Sequence, residues 1–183
     1  MRPWAVWAIG ITLLVAAWGV TKVTPGPEFT EASFVTEARI GERAVGSELI
    51  VTVDDVVLAT TASDRRGWTA EGDWLVVDLA LSAKTSEERA LLGTATLEVD
   101  GRTYRASERP ESVLSEPLGA GITTTGSLAF ELPEEVTGSE ATIRFASKAG
   151  DVRLDSVIEM TLDLAELPRE DARELRPTVG GGL

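Results

Sequence analysis

The residues most able to do chemistry in this chain are carboxylates. Thirty Asp and Glu accompany seventeen Lys and Arg, without any His or Cys. A carboxylate-based hydrolase needs two such groups about 5–10 Å apart across a cleft. The adjacent Asp54 and Asp55 are candidates for catalysis or for calcium binding. Neighbouring strand residues point to opposite faces, so the pair cannot hold one ligand unless a bulge intervenes, and a turn or solvated strand break is favoured.

The missing residue types exclude several kinds of site. Without His, the chain lacks the usual general base near neutral pH and the commonest transition-metal ligand. Without Cys, it lacks thiol nucleophiles, disulfides and a lipoprotein attachment point. A serine–lysine mechanism would have to use Lys84 or Lys148, both in loop-like sequence, and no Asp-rich loop has calcium-site spacing. We predict no enzymatic activity, catalytic residue, cofactor, metal ion or small-molecule substrate.

The charge of the chain limits its partners. After Lys22 there are fifteen Lys and Arg against thirty Asp and Glu, a net charge of −15. Nucleic-acid binding depends on cations that contact phosphates, so no nucleic-acid partner is expected. The same charge opposes docking onto anionic lipid headgroups. We interpret it mainly as a source of solubility.

The element that positions the rest of the chain is its beginning. Eighteen residues, 3–20, carry no charge, and as a helix they would span roughly 27 Å, close to the thickness of a bilayer core. Trp4 and Trp7 lie near one end and Trp18 near the other, as at membrane interfaces. We predict a single transmembrane anchor over residues 1–22, with the following domain extracytoplasmic. The alternative is a cleaved signal peptide and a secreted protein.

Two further features belong to this region. Ala8, Thr12 and Ala16 form a row of small residues along the predicted helix, a possible contact with another membrane helix, although small residues are common in such helices. Residues 23–33 contain two prolines flanking a glycine and are predicted to be a linker.

Residues 34–164 show the alternation of apolar and polar residues that is typical of strands. The strongest strand signal is at 74–82, which has four aliphatic residues on one face. Asp100-Gly101 between two alternating stretches predicts a hairpin with a type I′ turn. About seven to nine short strands are expected, and their spacing predicts an all-β, antiparallel β-sandwich.

Other predictions concern single faces and connections. Leu49, Val51 and Val53 share one strand face, which Val57 is expected to rejoin. Residues 62–73 are predicted to be a loop, and residues 165–183 a mobile tail.

Trp68 and Trp74 allow two interpretations. They are candidate surface aromatics that would form a binding platform, or they plug the end of the core, where tryptophan supplies a large packing area.

Five segments suggest a family: GSELIVTV at 46–53, GDWLVVDL at 72–79, VDGRTY at 99–104, LGAG at 118–121 and GSLAFELP at 126–133. In this order they resemble the bacterial secreted or membrane-anchored telokin-like domains of unknown function, which have an immunoglobulin fold. The resemblance implies an immunoglobulin-like sandwich outside the cytoplasm and brings no catalytic residues. Similar proteins often carry a lipoprotein cysteine or a membrane helix, and this chain has only the second option.

These observations lead to three functional hypotheses. The first is a non-enzymatic, membrane-tethered extracytoplasmic binding module with a protein partner. The second is an accessory subunit of a larger membrane complex, docked through its transmembrane helix. The third is a soluble secreted β-sandwich protein released by signal cleavage.

Overall fold

The computed structural model describes residues 4, 12–14, 34–85, 90–133, 140–147 and 156–180. The chain divides into two units, residues 1–32 and 33–183. The described part of the second unit is built almost entirely of strands, which form a β-sandwich. The sequence also predicts turns at 134–139 and 149–151, and both lie outside the described residues.

The second unit has fourteen described strands. In chain order they are β1 (Phe34–Ala38), β2 (Arg43–Val45), β3 (Leu49–Ser63), β4 (Thr69–Ala83), β5 (Ala90–Leu91), β6 (Thr94–Val99), β7 (Arg102–Arg105), β8 (Pro117–Leu118), β9 (Thr124–Leu132), β10 (Glu140–Ala146), β11 (Ser156–Asp163), β12 (Arg169–Glu170), β13 (Arg173–Glu174) and β14 (Val179–Gly180).

These strands form two main sheets. The first has the order β1-β11-β10-β6-β7, with β1 parallel to β11 and the other pairs antiparallel. The second is built on β3-β4-β9, with β2, β12 and β13 beside β3 and β14 beside β9. Strands β5 and β8 pair separately.

The core lies between the inner faces of the two sheets. The predicted aliphatic face of β4 is confirmed, since its members are at most 1% exposed: Leu75, Val77, Leu79 and Leu81. The same cluster also contains Leu128 and Phe130 of the neighbouring β9 and, from the first sheet, Leu97, Ile143, Phe145, Ile158 and Met160. Burial of this aliphatic and aromatic area is the main force holding the sheets together.

The Asp100-Gly101 hairpin is also confirmed. Asp100 has a φ of +52° and Gly101 a φ of +69°, and Val99 pairs directly with Arg102. Positive φ at both central residues is the mark of the type I′ turn, whose twist matches that of the flanking strands.

Strand β3 differs from the sequence prediction at Asp54. There is no turn or break at this point; instead the register with β4 shifts by one residue between Val53 and Asp55, as in a β-bulge. The extra residue reverses the alternation, so Val56 rather than Val57 returns to the core between the sheets. The expectation that Val57 rejoins the face of Val53 is therefore wrong.

The segment predicted as a loop at 62–73 is mostly strand. β3 continues to Ser63 and β4 begins at Thr69, so the connection is only five residues long. The Asp64 side chain closes it, because its Oδ1 accepts the N–H groups of Arg66 and Trp68, both at 2.9 Å. This side-chain bonding is typical of Asp in tight turns.

The segment after Leu164 was expected to be mobile, and through Gly180 the structure places it against the second sheet. It runs parallel to β3 as β12 and β13 and then pairs antiparallel with β9 as β14. Leu175, between these pairings, is 1% exposed. We call residues 169–180 the crossing segment. The segment has a fixed conformation because it is buried against the outer face of the sheet. Its own sequence does not reveal this burial.

Gly126 in β9 gives a first testable prediction. A Cβ at this position would lie 2.4 Å from Cγ1 of Val113, a fully buried side chain, and 3.4 Å from Cα of Thr178. Gly126→Ala must therefore displace Val113 or β9, and we expect the free energy of unfolding to fall by about 1–3 kcal/mol. Urea denaturation followed by far-UV circular dichroism measures this loss.

Val113→Ala supplies the control for that prediction. If the clash with Val113 causes the loss, the double variant will lose less stability than the sum of the two single variants. Simple additivity would contradict the proposed contact.

Candidate functional site

Among the described residues, the largest cluster of charged side chains lies on the outer face of the second sheet. Asp55 of β3 pairs with Asp78 of β4, which pairs with Ser127 of β9, so the three side chains form one row across the sheet. Like charges directly opposite each other in a sheet are destabilising. The bulge places Asp54 next to this row. Because the carboxylates repel one another, they need cationic side chains nearby.

Arg173 and Arg176 of the crossing segment supply that charge. Nη2 of Arg173 lies 2.6 Å from Oδ2 of Asp78 and 3.0 Å from Oδ2 of Asp55. Nε of Arg176 lies 3.0 Å from the same Asp78 oxygen, and its Nη1 lies 3.0 Å from Oδ2 of Asp54. Each of the three aspartates is therefore paired with an arginine from a distant part of the chain. We call these five residues the arginine–aspartate cluster.

Asp78 is the centre of the cluster. Its side chain is 1% exposed, and its Oδ1 accepts the hydroxyl of Ser127 at 2.5 Å. The Ser127 hydroxyl oxygen in turn accepts the backbone N–H of Arg176 at 2.8 Å. A buried carboxylate is tolerated only when it is paired and hydrogen-bonded, and Asp78 meets both conditions.

The guanidinium of Arg173 is held in its charged form. Burial acts to lower its pKa, but the hydrogen bond and charge of Asp78 and the charge of Glu170 outweigh burial, so the pKa of Arg173 is raised. Glu170 Oε1 lies 3.1 Å from its Nη1. The ion pairs thus persist wherever the carboxylates are ionised.

This arrangement indicates a structural role for the cluster. Glycoside-type hydrolysis needs two carboxyl groups that face a substrate from opposite sides of a cleft. Here the oxygens of Asp55 and Asp78 converge on one guanidinium nitrogen instead. The cluster fastens the crossing segment to the sheet.

The two tryptophans lie beside the crossing segment. Trp74 is fully buried and Trp68 is half-buried, with their rings edge to face at 5.3 Å between centroids. The Arg109 guanidinium carbon lies 5.4 Å from the Trp74 ring centroid and 6.0 Å from that of Trp68, within the range of cation–π attraction. Trp74 is not a surface aromatic, because Leu175 and the neighbouring strands pack in the same cluster.

Asp64 connects the β3–β4 turn to a remote loop. Besides its bonds within the turn, its Oδ2 accepts the Glu111 N–H at 2.9 Å. This bond is the main reason that the pKa of Asp64 is lowered from its usual 3.8; burial opposes the shift, and the N–H groups of Trp68 and Arg66 add to it.

Asp64→Asn tests this contribution. The ionised carboxylate favours folding above the unfolded pKa, so at pH 7 we expect the variant to be about 1–2 kcal/mol less stable. The difference will shrink as the pH falls from the unfolded pKa, near 3.8, through the lower folded pKa, because proton uptake by the unfolded chain then removes the advantage of the ionised native carboxylate. Urea denaturation at pH 7 and pH 3 measures both values. Asp73→Asn, at an exposed residue of the same hairpin, is the control and should change stability by less than about 0.5 kcal/mol at pH 7.

The predicted helix contact lies mainly outside the described residues. Ala8 and Ala16 are not described, and Thr12 is helical with an exposed side chain. Within the described part of the chain, no helix is long and apolar enough to cross a membrane. The transmembrane anchor and the contact through Ala8, Thr12 and Ala16 stay predictions.

A shallow groove lies beside the β3–β4 turn. It has a volume of about 310 Å³ and is lined by Arg66, Glu108, Glu111, Ser112 and Glu116, among others. Arg66 is already paired with Glu111 at 3.1 Å. We assign no ligand to this groove.

The edges of the second sheet are covered. The outer side of β3 is paired with β2, β12 and β13. On the outer side of β9, the carbonyls of Ala129 and Ser127 accept the N–H groups of Ser107 and Val113, and β14 pairs beyond them. Covered edges protect a sheet from unwanted strand pairing.

The β7 edge of the first sheet is different. In its hairpin with β6, the directly hydrogen-bonded positions are Arg102 and Tyr104, so the backbone N–H and C=O groups of Thr103 and Arg105 point away from the sheet. Among the described residues, none donates to or accepts from these outward groups. Thr103 and Arg105 are exposed, and Tyr104 packs partly against the core. We call this feature the β7 edge.

Sequence reasoning predicted the β7 strand but missed its role as an edge. The order β1-β11-β10-β6-β7 depends on pairings over long sequence separations, and alternation within one segment carries no information about its neighbours. The available signal was the pair of arginines, since charged residues are frequent on edge strands.

Similarity to a known protein is found among solved structures. No family model matches the chain, and no curated protein was found to be similar in sequence. Among solved structures, the chain is similar to an uncharacterized beta-sandwich protein from Clostridium difficile 630, with 15% identity and a TM-score of 0.44. The match covers 70% of this chain and 96% of that one. Both proteins are β-sandwiches, and a likeness of this strength says nothing of activity or of an immunoglobulin-like strand order.

Proposed function

We propose that this protein is a non-enzymatic binding module, tethered to a membrane and exposed on its extracytoplasmic side, that takes up a strand of a protein partner at the β7 edge. One observation carries the proposal: Thr103 and Arg105 direct backbone groups outward, while both edges of the other sheet are covered. Strand addition uses such groups for affinity and neighbouring side chains for specificity.

The sequence supports the location and the finer fold assignment within this proposal. The uncharged stretch at residues 3–20 has the length of a membrane anchor, and the linker at 23–33 would hold the domain away from the bilayer. The segments resembling telokin-like domains favour an immunoglobulin-like sandwich of the bacterial anchored type. A protein partner is the kind of ligand that an open sheet edge fits.

Site-specific crosslinking in cells tests the β7 edge. A photo-crosslinking amino acid is placed at position 103 or 105 of the full chain, and the partner residues are mapped by mass spectrometry. We expect both positions to reach one partner segment at residues two apart, the spacing of paired strands. The same probe at Thr60, exposed on the covered β3 edge, should give no such product.

The result that overturns the proposal is equally specific. Absence of crosslinks from positions 103 and 105, or equal products from position 60, would show that the β7 edge is not the contact. To test the tether, residues 1–22 are exchanged for a cleavable secretion signal. Crosslink yield should then fall, because membrane attachment raises the local concentration of the module.

A further inference from the structure

The charges on the β7 edge indicate what kind of strand it accepts. Arg102 and Arg105 are exposed, and neither is paired with a carboxylate among the residues that the structure describes. Glu98, which lies opposite Thr103 across the hairpin, is already bonded to Arg144, which also holds Glu159 at 2.7 Å. Within the described part of this acidic domain, the edge therefore presents two arginines that no carboxylate pairs with.

The two arginines lie on opposite faces of the strand. Arg102 is opposite Val99, whose side chain is buried in the core, and Arg105 is opposite Thr96 on the outer face. A strand added beside β7 places one residue next to each arginine, and these two residues are three positions apart. A spacing of three puts their side chains on opposite faces, matching the arginines.

A second copy of this chain fits the edge poorly. Two copies of β7 would pair antiparallel through the outward backbone groups of Thr103 and Arg105. In this register, Thr103 of one copy lies opposite Arg105 of the other. The two copies of Arg105 then become diagonal neighbours on the same face, about 7–8 Å apart. Each copy also carries a net charge of −15 after Lys22, which disfavours self-association.

We infer that the partner of the β7 edge is an extended peptide segment with two carboxylates three residues apart, Asp/Glu-x-x-Asp/Glu, which pair with Arg102 and Arg105. The inference rests on the proposed function and adds to it the chemistry of the partner. Opposite charges in directly facing strand positions stabilise pairing, and the two facing positions define the register of the added strand.

Synthetic strands test the inference with the full chain in a mild detergent. The probe is a ten-residue peptide of alternating Thr and Val with two Glu three residues apart. Matched peptides carry Gln or Lys at these two positions. Titrations are followed by the NMR amide shifts of Thr103 and Arg105, and we expect the Glu peptide to bind at least about tenfold more tightly than the Lys peptide.

Charge-swapped variants separate local pairing from net charge. R102E/R105E should reverse the preference, so that the Lys peptide binds more tightly than the Glu peptide. R39E/R43E makes the same change in net charge at exposed arginines on and beside β2, and it should keep the wild-type preference. Higher salt should reduce the preference, because exposed pairs are screened.

The outcomes distinguish this inference from the proposed function. Equal binding of the Glu, Gln and Lys peptides, with shifts at Thr103 and Arg105, would overturn the acidic partner and leave strand addition standing. A preference lost equally in R39E/R43E would also overturn it. If no peptide shifts either amide, docking at the β7 edge itself is contradicted.

Discussion

Replacing Arg173 and Arg176 together with methionine is expected to lower the free energy of unfolding by about 3–5 kcal/mol. The reason is the carboxylate left behind: Asp78 is 1% exposed and would keep only the Ser127 hydroxyl as a partner. Methionine retains much of the aliphatic packing of arginine, so the loss reports mainly on charge. Urea denaturation of the full chain at pH 7, followed by far-UV circular dichroism, measures it.

Arg65→Met is the matched control for this prediction. Arg65 pairs with Glu174 at 3.2 Å, but the two side chains are 66% and 59% exposed. Exposed pairs contribute little, so the expected loss is below about 1 kcal/mol. A double variant no less stable than Arg65→Met would contradict the role of the arginine–aspartate cluster.

A third variant separates the unpaired charge from lost packing. In D78V/R173M/R176M the buried carboxylate is also removed, and most of the lost stability should return, since apolar replacement of a buried ion cluster is often neutral. If stability does not return, the loss in R173M/R176M is caused by the missing contacts of the two arginine side chains and not by the unpaired carboxylate.

The features predicted correctly from sequence are those encoded within one short segment. The four aliphatic residues between Leu75 and Leu81 alternate in sequence, and the same alternation places them in the core. Asp100-Gly101 forms its turn because both residues tolerate positive φ, whatever lies around them. Such patterns need no knowledge of the rest of the chain.

The bulge at Asp54 was missed because its cause is remote. An extra residue in β3 brings Asp54 and Asp55 together on the outer face, where they meet Arg176 and Arg173. Asp55 and Arg173 are 118 residues apart. From local alternation, two adjacent aspartates indicate a solvated break in a strand. Within a continuous strand they are stabilised by their ion pairs with Arg173 and Arg176 of the crossing segment.

The crossing segment was missed for a related reason, although one signal was present. Its own sequence has no strand alternation, and Leu175 is an isolated apolar residue. The outer face of the second sheet, however, carries the apolar side chains of Val57, Trp74 and Val76, which together are too apolar to face water without a cover. That face requires a covering segment of the chain. The covering segment can be identified only when the strands at both edges of the sheet are known.

Leu175→Asp is expected to release the crossing segment and to lower the free energy of unfolding by about 3–5 kcal/mol. The change places a carboxylate beside Trp74, Val76 and Ala129, at a position where the leucine side chain is 1% exposed. Detachment of the segment returns the carboxylate to water and exposes the outer face of the sheet. Trypsin should then cut after Arg173 in the variant much faster than in the wild type, whereas the bond after Arg176 stays resistant because Pro177 follows it.

Val179→Asp makes the same change in charge four residues later in the same segment and serves as the control. Val179 is 57% exposed, so stability should change by less than about 0.5 kcal/mol, with wild-type resistance to trypsin.

Hydrogen exchange gives a second measurement, because Val179 pairs with Thr125 at the β9 edge. If Leu175 holds the segment across the sheet, exchange near Thr125 will accelerate in Leu175→Asp, while the β7 edge is unaffected. Unchanged exchange and unchanged trypsin resistance would show that Leu175 does not anchor the crossing segment.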